Sequence, residues 1–223
     1  MILLLSATPF EAAFLEKRAR ATFDFYGRPG LLGEGWTWLS VGVGKVNAAM
    51  TLAAFLEAAK EPFQALVAFG LGGAYPGSGL GLGELALAAE EIEADLGTAR
   101  GMRPLGFPAL ELGEKRYYNR FPTDPALTRR LAERLGLLPL AFVTRDKVSE
   151  TLEEAHAVRQ TWGGAVENME GAALARVALW RGLAFAELRG VSNTAGVRRK
   201  DAWRTEDALR ALRDGILLGL ELT

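Results

Sequence analysis

Short apolar runs of strand length recur along this chain, separated by longer stretches with helical spacing. Ile2–Ser6 opens the series, and further runs follow at 36–43, 64–69, 82–88, 140–144, 165–167 and 184–191. Helical patterns begin near Pro9 and fill 45–60, 150–162, 169–181 and 206–220. A helix between two strands returns the chain to the edge it left, so the strands it joins run parallel. Such strands are buried on both faces and therefore read as near-continuous apolar runs. The pattern predicts an α/β chain, a three-layer α/β/α sandwich around a mixed, mainly parallel central sheet. No repeat, linker or low-complexity tail interrupts the 223 residues, so 1–223 is expected to form one domain. The stretch 90–124, with several Gly and Pro, is the least regular. It is expected to be a long loop at an active site or at an interface, to which Phe107, Tyr117 and Tyr118 would be suited.

Composition removes several kinds of chemistry. There is no cysteine, so thiolate catalysis, disulfides and Cys–zinc sites are excluded. The one histidine, His156, follows Glu153-Glu154-Ala155 on what reads as an exposed helix face, which argues against a His-centred triad or a multi-His metal site. No metal and no organic cofactor is expected. A formal charge of −1 gives no electrostatic reason to expect nucleic acid or an anionic membrane as partner. The apolar run at Met1-Ile2-Leu3-Leu4-Leu5 is too short to span a bilayer and lacks the basic flank of a signal peptide, so a cytoplasmic location is expected. Whatever chemistry exists must run on carboxylates, amides, hydroxyls and arginines.

Two polar groups stand where a parallel sheet keeps its ligand crevice, near strand C-termini. Glu170 follows the run 165–167, and Asn193 follows 184–191. A small polar ligand could meet both, although a carboxylate at Glu170 would equally suit the N-terminus of its own helix. Glycine fills seven of the fourteen positions from Gly70 to Gly83, which would allow a backbone nest for a sugar or base. The dinucleotide fingerprint is missing, because Tyr75-Pro76-Gly77 makes a turn where a helix should start. Val41-Gly42-Val43-Gly44-Lys45-Val46 fails as a Walker A loop at Leu39 and at Val46.

Taken in order, Ala7-Thr8-Pro9-Phe10-Glu11, Gly42-Val43-Gly44-Lys45-Val46-Asn47-Ala48-Ala49, Phe69-Gly70-Leu71-Gly72-Gly73, Leu82-Gly83-Glu84-Leu85, Val143-Thr144-Arg145-Asp146-Lys147, Met169-Glu170-Gly171-Ala172-Ala173 and Leu188-Arg189-Gly190-Val191-Ser192-Asn193 resemble one family. It is the purine nucleoside phosphorylase and nucleosidase superfamily, near the methylthioadenosine/adenosylhomocysteine nucleosidases. The resemblance spans residues 1 to about 195 and implies a nucleoside phosphorylase-like fold that cleaves an N-glycosidic bond without a cofactor. Glu11 falls where the family has the carboxylate that activates water. Met169 and Glu170 fall where it packs the ribose and binds the 2′- and 3′-hydroxyls, and Gly72 and Val148 fall within its substrate pocket. The resemblance also implies a small-molecule nucleoside substrate and a homo-oligomer, dimeric or larger.

Departures from the family narrow the expectation. Asn193 replaces the Asp of the adenine-specific nucleosidases, and an amide NH₂ suits a 6-oxopurine better than a 6-aminopurine. Leu71 stands where relatives commonly have Ser, and the loop 6–10 has no phosphate-binding Arg, which leaves water as nucleophile. Arg18 and Arg20 are placed on the helix after Pro9 and expected to be solvated. Glu167-Asn168 replaces a Val-Glu pair, so Glu167 is given no catalytic role. Asn193 with Val197-Arg198-Arg199 and Trp203 resembles the futalosine hydrolases, which release hypoxanthine from a nucleoside of bacterial menaquinone biosynthesis. Their substrate has a benzoate at the ribose 5′ end, for which Arg198, Arg199, Arg116 and Arg120 are candidates, Arg198 first among them. The alternatives are a methylthioadenosine-type or aminofutalosine nucleosidase, and an inactive nucleoside-binding protein of the same fold.

Overall fold

The computed structural model describes residues 1–59, 62–98 and 106–222. The strands are β1 (Ile2–Ser6), β2 (Ala21–Phe25), β3 (Arg28–Leu32), β4 (Trp36–Ser40), β5 (Ala65–Ala74), β6 (Leu85–Glu93), β7 (Leu110–Leu112), β8 (Lys115–Tyr117), β9 (Arg120–Pro122), β10 (Pro139–Thr144), β11 (Val166–Asn168) and β12 (Ala184–Thr194). The helices are α1 (Pro9–Ala12), prolonged by a 3₁₀ segment at Ala13–Arg18, then α2 (Lys45–Ala58), α3 (Pro125–Leu135), α4 (Leu152–Trp162), α5 (Gly171–Arg181) and α6 (Thr205–Leu220).

Ten strands make one sheet in the order β11-β10-β6-β12-β5-β1-β4-β3-β2, with β9 added on β6. Pairing is parallel through β4–β1–β5–β12 and again through β6–β10–β11, and antiparallel where β12 meets β6. Period-two alternation sends Leu3, Leu5 and Leu39 to the face covered by α2 and α5. Leu4, Trp38 and Leu188 go to the opposite face with α3 and α6. The result is a three-layer α/β/α sandwich with a mixed sheet.

Several local expectations are corrected. The helix after Pro9 is only four residues long, and past its 3₁₀ extension the chain enters a hairpin, β2–β3. Its turn is Tyr26-Gly27, both at positive φ, as a tight hairpin requires. Arg20 is therefore not helical and pairs with exposed Glu34, while Arg18 is half-buried. The stretch 90–124 contains the end of β6 and the strands β7 to β9, with Tyr117 stacked on buried Phe121. Within it residues 99–105 lie outside the described residues, as does Lys60 at the end of 45–60. α3 was not anticipated, although Asp124 caps it through Leu127 N and Gly136 ends it at φ 64°. β5 and β12 both outrun their apolar cores. Gly70, Gly72 and Gly73 are thus strand residues, and Asn193 sits inside the end of β12 rather than beyond it.

Candidate active site

β5, β12, β11, the start of α1, the turn before α2 and the loop after β10 converge on one cavity of about 250 Å³. Glu11, Gly72, Val148, Met169, Glu170, Asn193 and Arg198 all line it, together with Leu71, Glu167, Arg189 and Trp203. His156 and the other three candidate arginines lie elsewhere. Arg116 is exposed on β8, Arg120 bonds to Glu90 and to the Trp162 carbonyl, and Arg199 pairs with Asp201.

Each carboxylate is held by backbone from a different element. Glu11 Oε2 accepts from Thr8 N at 3.0 Å, which ties it to the turn that starts α1. Its Oε1 accepts from Leu71 N of β5 at 2.9 Å. Gly70 leaves the room for this, since a Cβ there would lie 2.6 Å from Glu11 Oε1 and 2.7 Å from Arg189 Nη1. Gly70 thus makes room for side chains, while Gly72 and Gly73 line the cavity itself. Glu170 Oε1 accepts from Gly44 N at 3.0 Å, a contact across 126 residues made from φ 87° at the N-cap of α2.

Glu170 does not cap its own helix. That task falls to Asn168, whose Oδ1 accepts from Glu170 N at 3.0 Å and Gly171 N at 2.8 Å. The Glu170 carboxylate is thereby free to face the cavity. Burial raises its pKa above the usual carboxylate value, while Arg189 and the Gly44 N–H pull in the opposite direction.

Arg189 was not singled out from the sequence, and it organises the floor. Its Nε donates to Glu187 Oε1 at 2.7 Å, Nη1 to the Leu71 carbonyl at 3.1 Å and Nη2 to Glu170 Oε2 at 3.3 Å. Side chains at i and i+2 of a strand share a face, so a Glu187-x-Arg189 pair inside the apolar run 184–191 was a usable signal. Burial disfavours the charged guanidinium, but its carboxylate neighbours outweigh that and raise its pKa.

Glu167 serves the walls. It accepts from Ser149 N at 3.0 Å, Ser149 Oγ at 2.6 Å and the Tyr75 hydroxyl at 3.0 Å, which fixes the loop that carries Val148. At the other end, Asn193 Oδ1 accepts from Ser192 Oγ at 2.9 Å and Nδ2 donates to the Thr194 carbonyl at 3.1 Å. With the amide oriented by this network, its second N–H points to no partner among the described residues. Arg198, exposed at the rim, stands over the Trp203 ring at 5.6 Å.

A sequence model described as the phosphorylase superfamily matches residues 2–215. The futalosine hydrolase of Thermus thermophilus is 57% identical over 212 residues, 95% of this chain and 92% of that protein. That of Streptomyces coelicolor is 35% identical over 202 residues, 85% and 82% of the two chains. Among solved structures, the 5′-methylthioadenosine/S-adenosylhomocysteine nucleosidase of Helicobacter pylori with butyl-thio-DADMe-Immucillin-A superposes with a TM-score of 0.83 at 18% identity, covering 99% of this chain and 97% of that one. Native futalosine hydrolase of Helicobacter pylori gives 0.81 at 18% identity, with the same coverage. At such identities these two likenesses establish the fold alone. No described helix is long and apolar enough to cross a membrane.

Proposed function

The chain belongs to the phosphorylase superfamily, and from that membership we propose that it hydrolyses the N-glycosidic bond of futalosine, releasing hypoxanthine and dehypoxanthine futalosine for menaquinone biosynthesis. The observation that carries this beyond the family is the convergence of two buried carboxylates, Glu11 and Glu170, with a free amide donor of Asn193 around one cavity. Holding the ribose hydroxyls would occupy Glu170 alone, whereas the second buried carboxylate, Glu11, is a group suited to accept a proton from water.

Bond cleavage builds positive charge on the ribose and negative charge on the departing base. Glu11 takes a proton from water as its oxygen attacks C1′. Glu170 grips the ribose hydroxyls and lies against the developing cation, as a carboxylate does in O-glycoside hydrolysis. Arg189 offsets part of the burial that disfavours the Glu170 charge, and it orients the carboxylate. Asn193 gives the purine a hydrogen bond from its free N–H as negative charge gathers there, and the departing base takes its proton from solvent. Met169, Gly72 and Val148 shape the walls. Arg189 is occupied by Glu187, Glu170 and the Leu71 carbonyl, so the buried floor offers no free guanidinium to a phosphate. That supports water as the nucleophile. The test is base release from futalosine, aminofutalosine, inosine and methylthioadenosine, each with and without phosphate. Phosphate-independent hypoxanthine from futalosine supports the proposal, and adenine release or phosphate dependence refutes it.

Two variants probe recognition. Asn193→Asp replaces the donated N–H by an acceptor, which mismatches a 6-oxo base and suits a 6-amino base. A mismatched buried polar pair costs about 1–3 kcal/mol, so kcat/KM for futalosine should fall roughly 5–150-fold relative to aminofutalosine. An unchanged ratio would remove Asn193 from base selection. Arg198→Ala should raise KM for futalosine about tenfold, the worth of one charge-assisted contact at a partly solvated rim. Inosine has no 5′ carboxylate and should be unaffected, and equal effects on both substrates would exclude Arg198 from that contact.

A homo-oligomer is also part of the proposal. Val46 and Trp180 are exposed at a second cavity of about 400 Å³, formed between α2 and α5. An apolar surface there suits a second copy of the chain. Sedimentation of the purified protein decides between monomer and oligomer.

A further inference from the structure

Below Arg189 lies a buried acidic pair that the proposed chemistry does not use. Glu91 on β6 and Glu187 on β12 are both fully buried. Both reach the N-terminus of α5, where a Cβ on Gly171 would lie 2.2 Å from Glu91 Oε1 and 2.4 Å from Glu187 Oε2. Glycine in the Met169-Glu170-Gly171 motif is what lets them approach there. Glu187 Oε1 accepts from Arg189 Nε, but its Oε2 is buried without any hydrogen-bond partner. Glu91 is the better furnished of the two, with Asn168 Nδ2 at 2.7 Å from Oε1 and Thr144 Oγ1 at 2.6 Å from Oε2.

Charge decides how this cluster is protonated. Glu11, Glu170, Glu187 and Glu91 surround one cation, Arg189, and among the described residues neither Glu91 nor Glu11 has an ion-pair partner of its own. β10 and β11 oppose the pair with the neutral side chains Thr144 and Asn168. Arg120 on β9 and Arg176 on α5 are engaged with Glu90 and Glu93. Like charges in one dry site cannot all ionise. We propose that Glu91 and Glu187 share a single proton, carried by Glu91 and offered to the unpartnered Glu187 oxygen, and that the pair positions Arg189 for its contact with Glu170. Burial first, and then the Glu187 charge, raise Glu91 well above the usual carboxylate value, in keeping with this arrangement. A neutral Glu91 does not draw Arg189 away from Glu170, while anionic Glu187 fixes the guanidinium plane through Nε. Asn168 links the two levels, because it donates to Glu91 and its Oδ1 lies 3.4 Å from Arg189 Nη2.

The kinetic consequence rests on the futalosine proposal, but the protonation state does not, and the two are measured separately. Infrared spectra of the wild-type protein in D₂O at neutral pH should contain the carbonyl stretch of a protonated carboxylic acid, missing from Glu91→Gln. On futalosine, Glu91→Ala should lower kcat about 10²-fold with KM nearly unchanged, the scale expected when a catalytic group is misplaced by about 1 Å. Glu91→Gln, which keeps the shape and can donate to Glu187, should recover most of that loss. Gln and Ala variants equally impaired, or no protonated carboxyl lost from the Gln spectrum, would overturn the shared proton. If Glu91→Ala does not fold, the spectrum and the Gln variant still decide. A wild-type protein inactive on futalosine that keeps the band would refute the substrate and leave the pair intact.

Discussion

Glu11→Gln should lower kcat for futalosine hydrolysis by roughly 10²–10⁴-fold, the range general bases contribute. KM should barely change, because Glu11 acts on water rather than on the bound nucleoside. The substitution also has a structural cost. Two backbone donors, Thr8 N and Leu71 N, converge on the two oxygens of this carboxylate. A glutamine offers one oxygen and one NH₂, so one buried N–H then faces another donor. An orphaned buried donor costs about 1–3 kcal/mol. At this chain length each kcal/mol moves Tm by about 2–4 °C. Glu11→Asp retains the charge but shortens the reach, and should fall between the wild type and Gln in kcat. Steady-state kinetics with a thermal melt on each variant checks both effects. A Gln variant within a few-fold of wild type would mean that water is activated elsewhere.

What the sequence disclosed of this architecture follows from which interactions are local. β1, α2, α4, α5 and α6 are legible because a sheet covered on both faces leaves continuous apolar runs and its helices keep a 3.6 period. The β2–β3 hairpin was missed since Tyr26-Gly27 is a weak turn signal beside Asn-Gly. α3 was missed inside an irregular stretch, although Asp124-Pro125 and Gly136 mark its ends. Glu11, Glu170 and Asn193 stand out as short motifs at element ends. The residues that aim them do not. Gly44 meets Glu170 across 126 residues, and Leu71 meets Glu11 across 60, both through backbone N–H groups that no side-chain pattern encodes. Glu187 and Arg189 were visible as letters, and their burial was even suggested by the surrounding run. Charges two apart in a buried strand must satisfy each other or a site, and that rule points to the floor of the cavity.

Arg189→Met should be the most damaging single change to the fold at this site. It removes the ion-pair partner of both Glu170 and Glu187, each buried. Breaking a buried pair costs about 3–5 kcal/mol, mainly because the remaining charge is uncompensated. That corresponds to a Tm loss of about 6–20 °C at this size. The deficit should depend on pH with a definite sign. Without Arg189, which pulls the other way, burial raises the folded-state pKa of Glu170 further above its unfolded value. A carboxyl raised in this way leaves the fold unharmed below its unfolded pKa and opposes it increasingly as pH rises through the folded pKa. The gap in Tm between wild type and variant should therefore be small in mildly acidic buffer and widen toward alkaline pH. Activity should fall for a related reason, since Glu170 loses the cation that orients it and offsets its burial, and a protonated Glu170 cannot balance the ribose cation. Arg189→Lys separates charge from geometry. It supplies the cation but lacks the planar fork that serves Glu187, Leu71 and Glu170 together, so it should restore much of the stability and little of the rate. A lysine variant with full kcat would show that only the charge matters, and a pH-independent Tm gap would show that packing, not electrostatics, carries the loss.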